Sequence, residues 1–477
     1  MRSARRSLSS RTRTENRGKT ACLRAIASVA CMAIVVVAAP ANAQDAHYWT
    51  DQFGNRALLL GGAVVADPAD LSSVYYNPGG LALMDDPELL LAGLVIKFSG
   101  LTIADAVADG ADVTTSQTAF SPSLIAGEIP LAGPRHRFAY SVLSRYQQQL
   151  QGLAKVDVTG DEFELPAVSL VSNAFRFTTQ LSDHWIGGTY AYKASDNFGI
   201  GATLFLAVRN QSSQSQSFLQ ILSTENRAGI SDLATGFTYR HFRVIPKVGA
   251  AGRFFDWNVG LTLTTPSIGL GGSGDTFNNK TLVGQALTPE GGPLTEIATD
   301  AQAGLSADYR SPFSLAAGAA RAFGPTTVHV SAEWFNSTGL YTVIDSQPFQ
   351  SQTSGETIDT AVRQELDSVV NVALGVEHVL GSGVKAYGGF HTDFSAASPD
   401  TLSNLSVALW DLYHFSGGAT FDAFGQDFTL GGNVALGSRV IDKRDDDAAR
   451  LIGLPDSADV SVYQVTILLG FNFGFGG

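Results

Sequence analysis

SVYQVTILLGFNFGF, residues Ser461–Phe475, alternates from end to end. One face reads Ser461, Tyr463, Val465, Ile467, Leu469, Phe471, Phe473, Phe475; the other reads Val462, Gln464, Thr466, Leu468, Gly470, Asn472, Gly474. A period of two places successive side chains on opposite faces of a strand. The first face is an apolar stripe ending in aromatics, and the second is small and polar. That division suits a wall with lipid on one side and a polar interior on the other. The same alternation recurs at Phe198–Val208, Val328–Trp334 and Val384–Phe394.

Composition narrows the class. The chain has 477 residues, 44% hydrophobic and only 16% charged, where an ordinary soluble domain carries about 25% charged residues. No run of 18 apolar residues lies beyond the N-terminus, so helical spans are excluded. A soluble all-β protein and a membrane β-barrel remain. Residues 1–43 read as a signal peptide, with a basic start, an apolar run Ala25–Ala39 and the small-residue site Ala41-Asn42-Ala43. Cleavage removes eight of 31 basic residues and Glu15 of 44 acidic ones, leaving 23 against 43, a net −20. That charge opposes binding to nucleic acid. Cys22 and Cys31 leave with the signal, so disulfides and thiolate metal sites are excluded.

The connections set the topology. Short turns are expected at 129–135, 194–197, 254–257, 323–326, 380–383 and 424–427. Long loops are expected at about 99–118, 147–183, 210–236, 267–302, 338–366, 395–412 and 440–459, with 303–323 a single strand bent at Pro312. Short turns on one side and long loops on the other mark an outer-membrane barrel. The expectation is an all-β transmembrane antiparallel β-barrel of about 14 strands over residues 88–477, with both termini periplasmic. A secreted sandwich or solenoid is the competing architecture, but no fixed-length repeat exists. Gly476-Gly477 follow the last aromatic, Phe475, where such barrels usually end on an aromatic.

Residues 44–87 do not alternate and are expected to fold as a hatch, or plug, inside the lumen, because a ring of this size cannot be filled by side chains alone. Asp67-Pro68-Ala69-Asp70 reads as a helix start. Asn77-Pro78-Gly79-Gly80 reads as a turn that brings backbone close to the inner wall, where Ala139 and Ser141 of the third strand are small enough to receive it. Gly61-Gly62-Ala63-Val64-Val65-Ala66-Asp67, followed by Tyr75-Tyr76-Asn77-Pro78-Gly79-Gly80-Leu81-Ala82, resembles the N-terminal hatch of the FadL/TodX family of outer-membrane hydrocarbon transporters. Gly79 stands where the family pattern Asn-Pro-Ala-Gly-Leu has Ala. Only residues 54–84 are motif-specific; the rest of the likeness is layout. The resemblance implies a plugged lumen, with Asn77, Pro78, Gly79, Gly80 and Leu81 as the hatch motif. It also implies passive passage of long-chain fatty acids or hydrocarbons, and their exit through a gap in the wall.

Hydrophobic capture is expected to begin in the outer loops. Phe218, Ile221 and Leu222 fall on one face of a short helix, which Leu219 widens. Ile268, Leu270, Phe277, Leu282, Val283 and Leu287 are scattered through the next loop. Apolar residues on exposed loops suggest a ligand patch or loop–loop packing. Lys97, Arg145 and Arg209 are candidates to meet a carboxylate; the first reading of each is an interfacial or lipopolysaccharide-facing charge. Gly269–Thr276 lacks the lysine of a phosphate loop, and Asp442–Asp447 reads as a solvated loop. His329 with Ser331, and His391 with Asp393, share inward faces without a serine motif, so no enzyme, cofactor or metal site is expected. The expected partners are a hydrophobic small molecule, outer-membrane lipid and lipopolysaccharide, and the barrel-assembly machinery. A structural or secretion-associated barrel that binds a protein partner, and a general porin, are the alternative functions.

Overall fold

The computed structural model describes residues 46–477 apart from 68, 85–87, 105–111, 130–132, 160–167, 285–293, 382, 399–409, 424–425, 443–456 and 475–477. The signal segment, Pro68, Leu287, most of Asp442–Asp447 and the C-terminal Phe475-Gly476-Gly477 therefore lie outside the described residues.

The described strands are β1 (Glu88–Ile103), β2 (Val113–Ile129), β3 (His136–Thr159), β4 (Val168–Ser195), β5 (Phe198–Ser223), β6 (Ala228–Phe254), β7 (Trp257–Thr264), β8 (Ile268–Gly284), β9 (Leu294–Ser306) and β10 (Ser314–Phe323). They continue with β11 (Thr326–Phe335), β12 (Thr338–Ile344), β13 (Phe349–Gln350), β14 (Thr357–Ile358), β15 (Val362–Leu366), β16 (Val369–Gly381), β17 (Val384–Asp393), β18 (Asp411–Ala423), β19 (Gln426–Asp442) and β20 (Ser457–Gly474). Fourteen of these, β1–β7, β10, β11 and β16–β20, pair neighbour to neighbour, with β1 against β20 and β5 against β6 closing the ring. The expected all-β antiparallel barrel is therefore observed. Outward positions form an apolar belt: Ile186, Leu204, Leu261, Leu374, Phe415, Leu430 and Leu436 are all more than half exposed to the surroundings. A belt of this kind around a closed barrel is stable in lipid.

Four expected loops are largely strand. β3 runs to Thr159 and β4 starts at Val168, within the loop placed at 147–183. β5 and β6 fill 210–236 except for residues 224–227. β8 and β9 form a hairpin inside 267–302, and β1 and β2 take most of 99–118. Above the membrane neither face has to be apolar, so the alternation of hydropathy fades while the hydrogen-bond ladder continues. The strand expected at 303–323 is split by Ala307–Phe313 into β9 and β10, and β7 parts from β8 around Pro266. Proline has no N–H to give to a ladder.

Residues 46–84 carry little regular structure: α1 (Asn55–Leu59), α2 (Ser73–Tyr76) and a tight 3-10 turn, Pro78–Leu83. The helix expected from Asp67 begins instead at Ser73, and the Asp70 carboxylate accepts the Ser72 N–H at 2.9 Å. Asp67 pairs with Arg56 at 3.0 Å. Burial raises the Asp67 carboxyl, but Arg56 and His329 bring it below its usual value.

The segment lies backbone-first on the inner wall. Four cross-strand glycine pairs receive it: Gly201 with Gly249, Gly260 with Gly318, Gly375 with Gly389, and Gly418 with Gly431. A Cβ on Gly201 or Gly249 would overlap Pro78, on Gly260 the Val65 carbonyl, on Gly389 the Gly61 N–H, and on Gly418 or Gly431 the Leu59 side chain. Asn77 fixes the register. Its Oδ1 accepts the Gly79 N–H at 3.1 Å, and its Nδ2 donates to the carbonyls of Val65 at 2.8 Å and Ala250 at 2.9 Å. The turn therefore seats on β5 and β6, not on the third strand, although Ala139 and Ser141 are inward and buried as expected.

Gly260→Ala and Gly249→Ala are expected to cost about 1–3 kcal/mol by overpacking against rigid backbone. The outward Gly188→Ala, whose Cβ would meet nothing within 4 Å, serves as the control. Thermal unfolding in detergent and protease cleavage within residues 46–84 report the difference. Equal behaviour of all three variants would mean that the wall does not depend on these glycines.

Candidate functional site: a gap in the barrel wall

The ladder between β2 and β3 is short. It runs only from Leu124↔Leu143 to Ile129↔Phe138, whereas β3 pairs with β4 from His136 to Thr159. Three irregularities coincide where it stops. β1 shifts register against β20 between Leu91 and Leu94. β2 carries Pro122, and the neighbours Ser123 and Leu124 both face inward and are buried. β3 has a bulge between Ser144 and Tyr146, so Arg145 and Tyr146 are both buried. A bulge adds a residue to one strand and turns the rest of it away from its partner. Higher up, the Gln149 N–H donates to the Gln117 side-chain oxygen at 2.8 Å and rejoins the two strands. Between these two points no ladder pair joins β2 to β3 among the described residues.

Behind the gap is a narrow cavity of about 40 Å³, lined among others by Thr50, Asp51, Gln52, Ala119, Ser123 and Gln147. Its far side is His391, Asn433 and Thr466. A volume of this size holds a few water molecules, so the gap must widen before a larger molecule passes. The N-terminal segment forms the cavity floor and is held by Asp393. One Asp393 oxygen accepts the N–H groups of Tyr48 at 3.1 Å and Trp49 at 2.9 Å, and the other accepts the Thr50 hydroxyl at 2.6 Å. Below the floor, Phe53, Tyr75, Tyr76, Trp185 and Phe205 pack as one aromatic group.

The three candidate cations all point inward, which corrects the reading of them as interfacial or lipopolysaccharide-facing. Lys97 lines the cavity and pairs with Asp51. Arg145 donates to the Tyr48 carbonyl at 2.5 Å and lies about 6 Å from the ring centres of Phe53 and Trp185. Arg209 is fully buried elsewhere, with Tyr239 at 3.0 Å, Asp183 at 3.7 Å and the Tyr309 ring beneath its guanidinium. Arg243, which sequence reasoning missed, shares Asp183 with it. Arg243 occupies an inward position of β6, two residues beyond His241, the cross-strand partner of Arg209. Parity along β6 was the signal that would have found it.

The short helix at Phe218–Leu222 is not formed; these residues lie in β5. A strand separates what a helix would gather. Leu219 and Ile221 are buried on the inner face, while Phe218 and Leu222 are on the outer one. Leu282 is buried and joins Leu219 through Ser231 in one cross-strand row, whereas Phe277, Ile268 and Leu270 are exposed. The outer mouth is covered by the β12–β15 hairpin, whose Tyr341, Val343, Ile344 and Val362 pack on Phe237, Tyr239 and Tyr309. Burial pushes the Tyr341 hydroxyl well above its ordinary value, so it stays protonated and donates to Gln364 at 2.5 Å.

No family model matches the sequence, and no curated protein matches it. Solved structures do. A Pseudomonas aeruginosa FadL homologue matches over 90% of this chain and 100% of its own, at 13% identity and a TM-score of 0.53. The P. putida toluene transporter TodX matches over 89% and 99%, at 11% identity and a TM-score of 0.57. The Ralstonia pickettii toluene transporter TbuX matches over 89% and 99%, at 13% identity and a TM-score of 0.51. The fold of this chain is therefore that of the FadL homologue and the toluene transporters.

Proposed function

We propose that the protein is an outer-membrane channel for hydrophobic molecules, long-chain fatty acids or hydrocarbons, which leave the lumen sideways through the gap between β2 and β3. The gap itself carries this reading. A membrane barrel gains stability from every ladder bond, so an interruption at the level of three coincident irregularities calls for a use. Residues 44–87 act as the hatch. Its described part, within 46–84, fills the lumen below the gap, so a molecule entering from outside has the wall opening and not the periplasmic mouth ahead of it. Transport of toluene by the structural neighbours TodX and TbuX supports a small hydrophobic substrate. A general porin is disfavoured because inward glycines of β5, β6, β7, β10 and β16–β20 meet the N-terminal segment and so leave it across the lumen. Passage is passive, and the mechanism is steric. The window widens, the molecule moves from the cavity into the bilayer, and the Lys97–Asp51 pair offers a cation to any carboxylate that displaces Asp51.

Three outcomes test this. Ala119→Trp and Ser123→Trp are expected to lower uptake of a hydrophobic substrate at least tenfold while the barrel keeps its heat-dependent gel shift; unchanged uptake would place the exit elsewhere. Lys97→Met is expected to weaken uptake of a long-chain acid and to spare toluene or an alkane. An equal effect on both would remove Lys97 from carboxylate recognition. Deleting Gln44–Met84 behind the signal is expected to leave a barrel that inserts and conducts ions in planar bilayers, and a tight deletion variant would show that the outer hairpin closes the lumen.

A further inference from the structure

Strands β3–β6 and β8 rise far above the apolar belt, and their outer face is ordered and polar. On the belt, His184, Val208 and Phe242 are cross-strand neighbours. One step up, the outward row is Gln147, Ser182, Asn210, Arg240 and Ser273. The second row is Gln149, Gln180, Ser212, Thr238 and Asp275, and the third is Gln151, Thr178, Gln214, Gly236 and Phe277. Eleven of these fifteen positions are uncharged amides or hydroxyls and only two are charged. A face that merely meets water has no reason to exclude Lys and Glu, the usual solvated residues. The sheet is concave here: the first two rows, with Thr118 and Phe120 of β2, line a trough of about 790 Å³.

We infer that this face docks the saccharide headgroup of an outer-leaflet glycolipid. Height selects the partner. The rows continue the membrane-facing surface of the same strands, beginning one step above exposed Phe242 and two above exposed Leu206. A lipid whose chains cover the belt carries its headgroup onto the rows. Chemistry selects it too. Each Gln or Asn offers a donor and an acceptor together, the pairing that adjacent sugar hydroxyls require. Strand spacing sets the rows on a grid of about 4.8 by 6.7 Å, so one saccharide chain meets several amides at once. The exposed ring of Phe277, 45% accessible, offers an apolar surface to the C–H face of a sugar. Phosphate recognition would call for clustered arginines or lysines, and the three rows hold only Arg240, which already donates to Asn210 at 2.7 Å.

The test compares the intact protein with the triple variant Gln180→Ala, Gln214→Ala, Thr238→Ala, three exposed residues that do not line the cavity behind the wall gap. Detergent-purified protein is titrated with lipopolysaccharide bearing its full saccharide core, with sugar-truncated lipopolysaccharide, and with the free core oligosaccharide. The intact protein is expected to bind the full glycolipid at least tenfold more tightly than the truncated one, and the variant to lose that difference while keeping its heat-dependent gel shift. Equal binding of the full and truncated forms by the intact protein overturns the inference without needing the variant. So does a variant that retains the difference. Competition by free oligosaccharide as strong as by the glycolipid would replace a membrane headgroup with a soluble sugar as the partner, and overturn it as well.

Discussion

Backbone against wall is the contact on which this molecule depends. Residues 46–84 bury apolar side chains such as Phe53, Leu59, Leu60 and Leu71 but form only short helical pieces among the described residues, so most of their main-chain polar groups must come within bonding range of the barrel. The wall makes room by losing side chains. Gly201 and Gly249, Gly260 and Gly318, Gly375 and Gly389, Gly418 and Gly431 stand as pairs on adjacent strands, each beneath a turn of the segment. Polar residues between them, such as Ser331, Thr262 and Thr203, take up the carbonyls and N–H groups that the segment presents. Buried polar backbone is costly unless it is bonded, and here the wall does the bonding.

A fixed interior forces the exit sideways. With the segment tied to β5, β6, β7, β10 and β16–β20, the weakly paired side of the ring is β2 against β3. The gap costs ladder bonds in a setting where unpaired groups are expensive, and local substitutes reduce that cost. Gln117 caps Gln149, and Pro122 removes one donor altogether. Lys97 and Arg145 hold the segment from both sides of the opening, through Asp51 and the Tyr48 carbonyl. The same pairs that look like ligand sites in a list of cations are therefore also the latch of the cavity floor.

Outside the membrane the barrel has a second character. β3–β6 lengthen into a sheet with amides and hydroxyls on its outer face, and the break at Pro266 and Pro312 lets Ala307–Phe313 carry Tyr309 inward over Arg209 and Arg243. The β12–β15 hairpin packs on that ring. Lid and outer surface are thus built from continuations of the strands that span the bilayer, which couples the mouth mechanically to the wall.

The sequence by itself determined the barrel, its approximate strand number and the two faces of its clearest strands, because lipid outside and polar groups inside imprint a period of two, as in Ser461–Gly474. It also singled out Asn77-Pro78-Gly79-Gly80, since few local conformations accept that order of residues. It misread Phe218–Leu222 as helix and 147–183 as loop, because once a strand leaves the bilayer nothing forces its faces to differ. It left Lys97, Arg145 and Arg209 at the surface, because charge alone does not say which way a side chain points near a bulge. Tertiary structure decided the rest: which wall glycines meet the segment, where β2 parts from β3, and that Arg243 joins Arg209 on Asp183. Each of these depends on register between strands far apart in the chain, and pairing across a closed ring is a property of the whole circle that no single stretch of sequence carries.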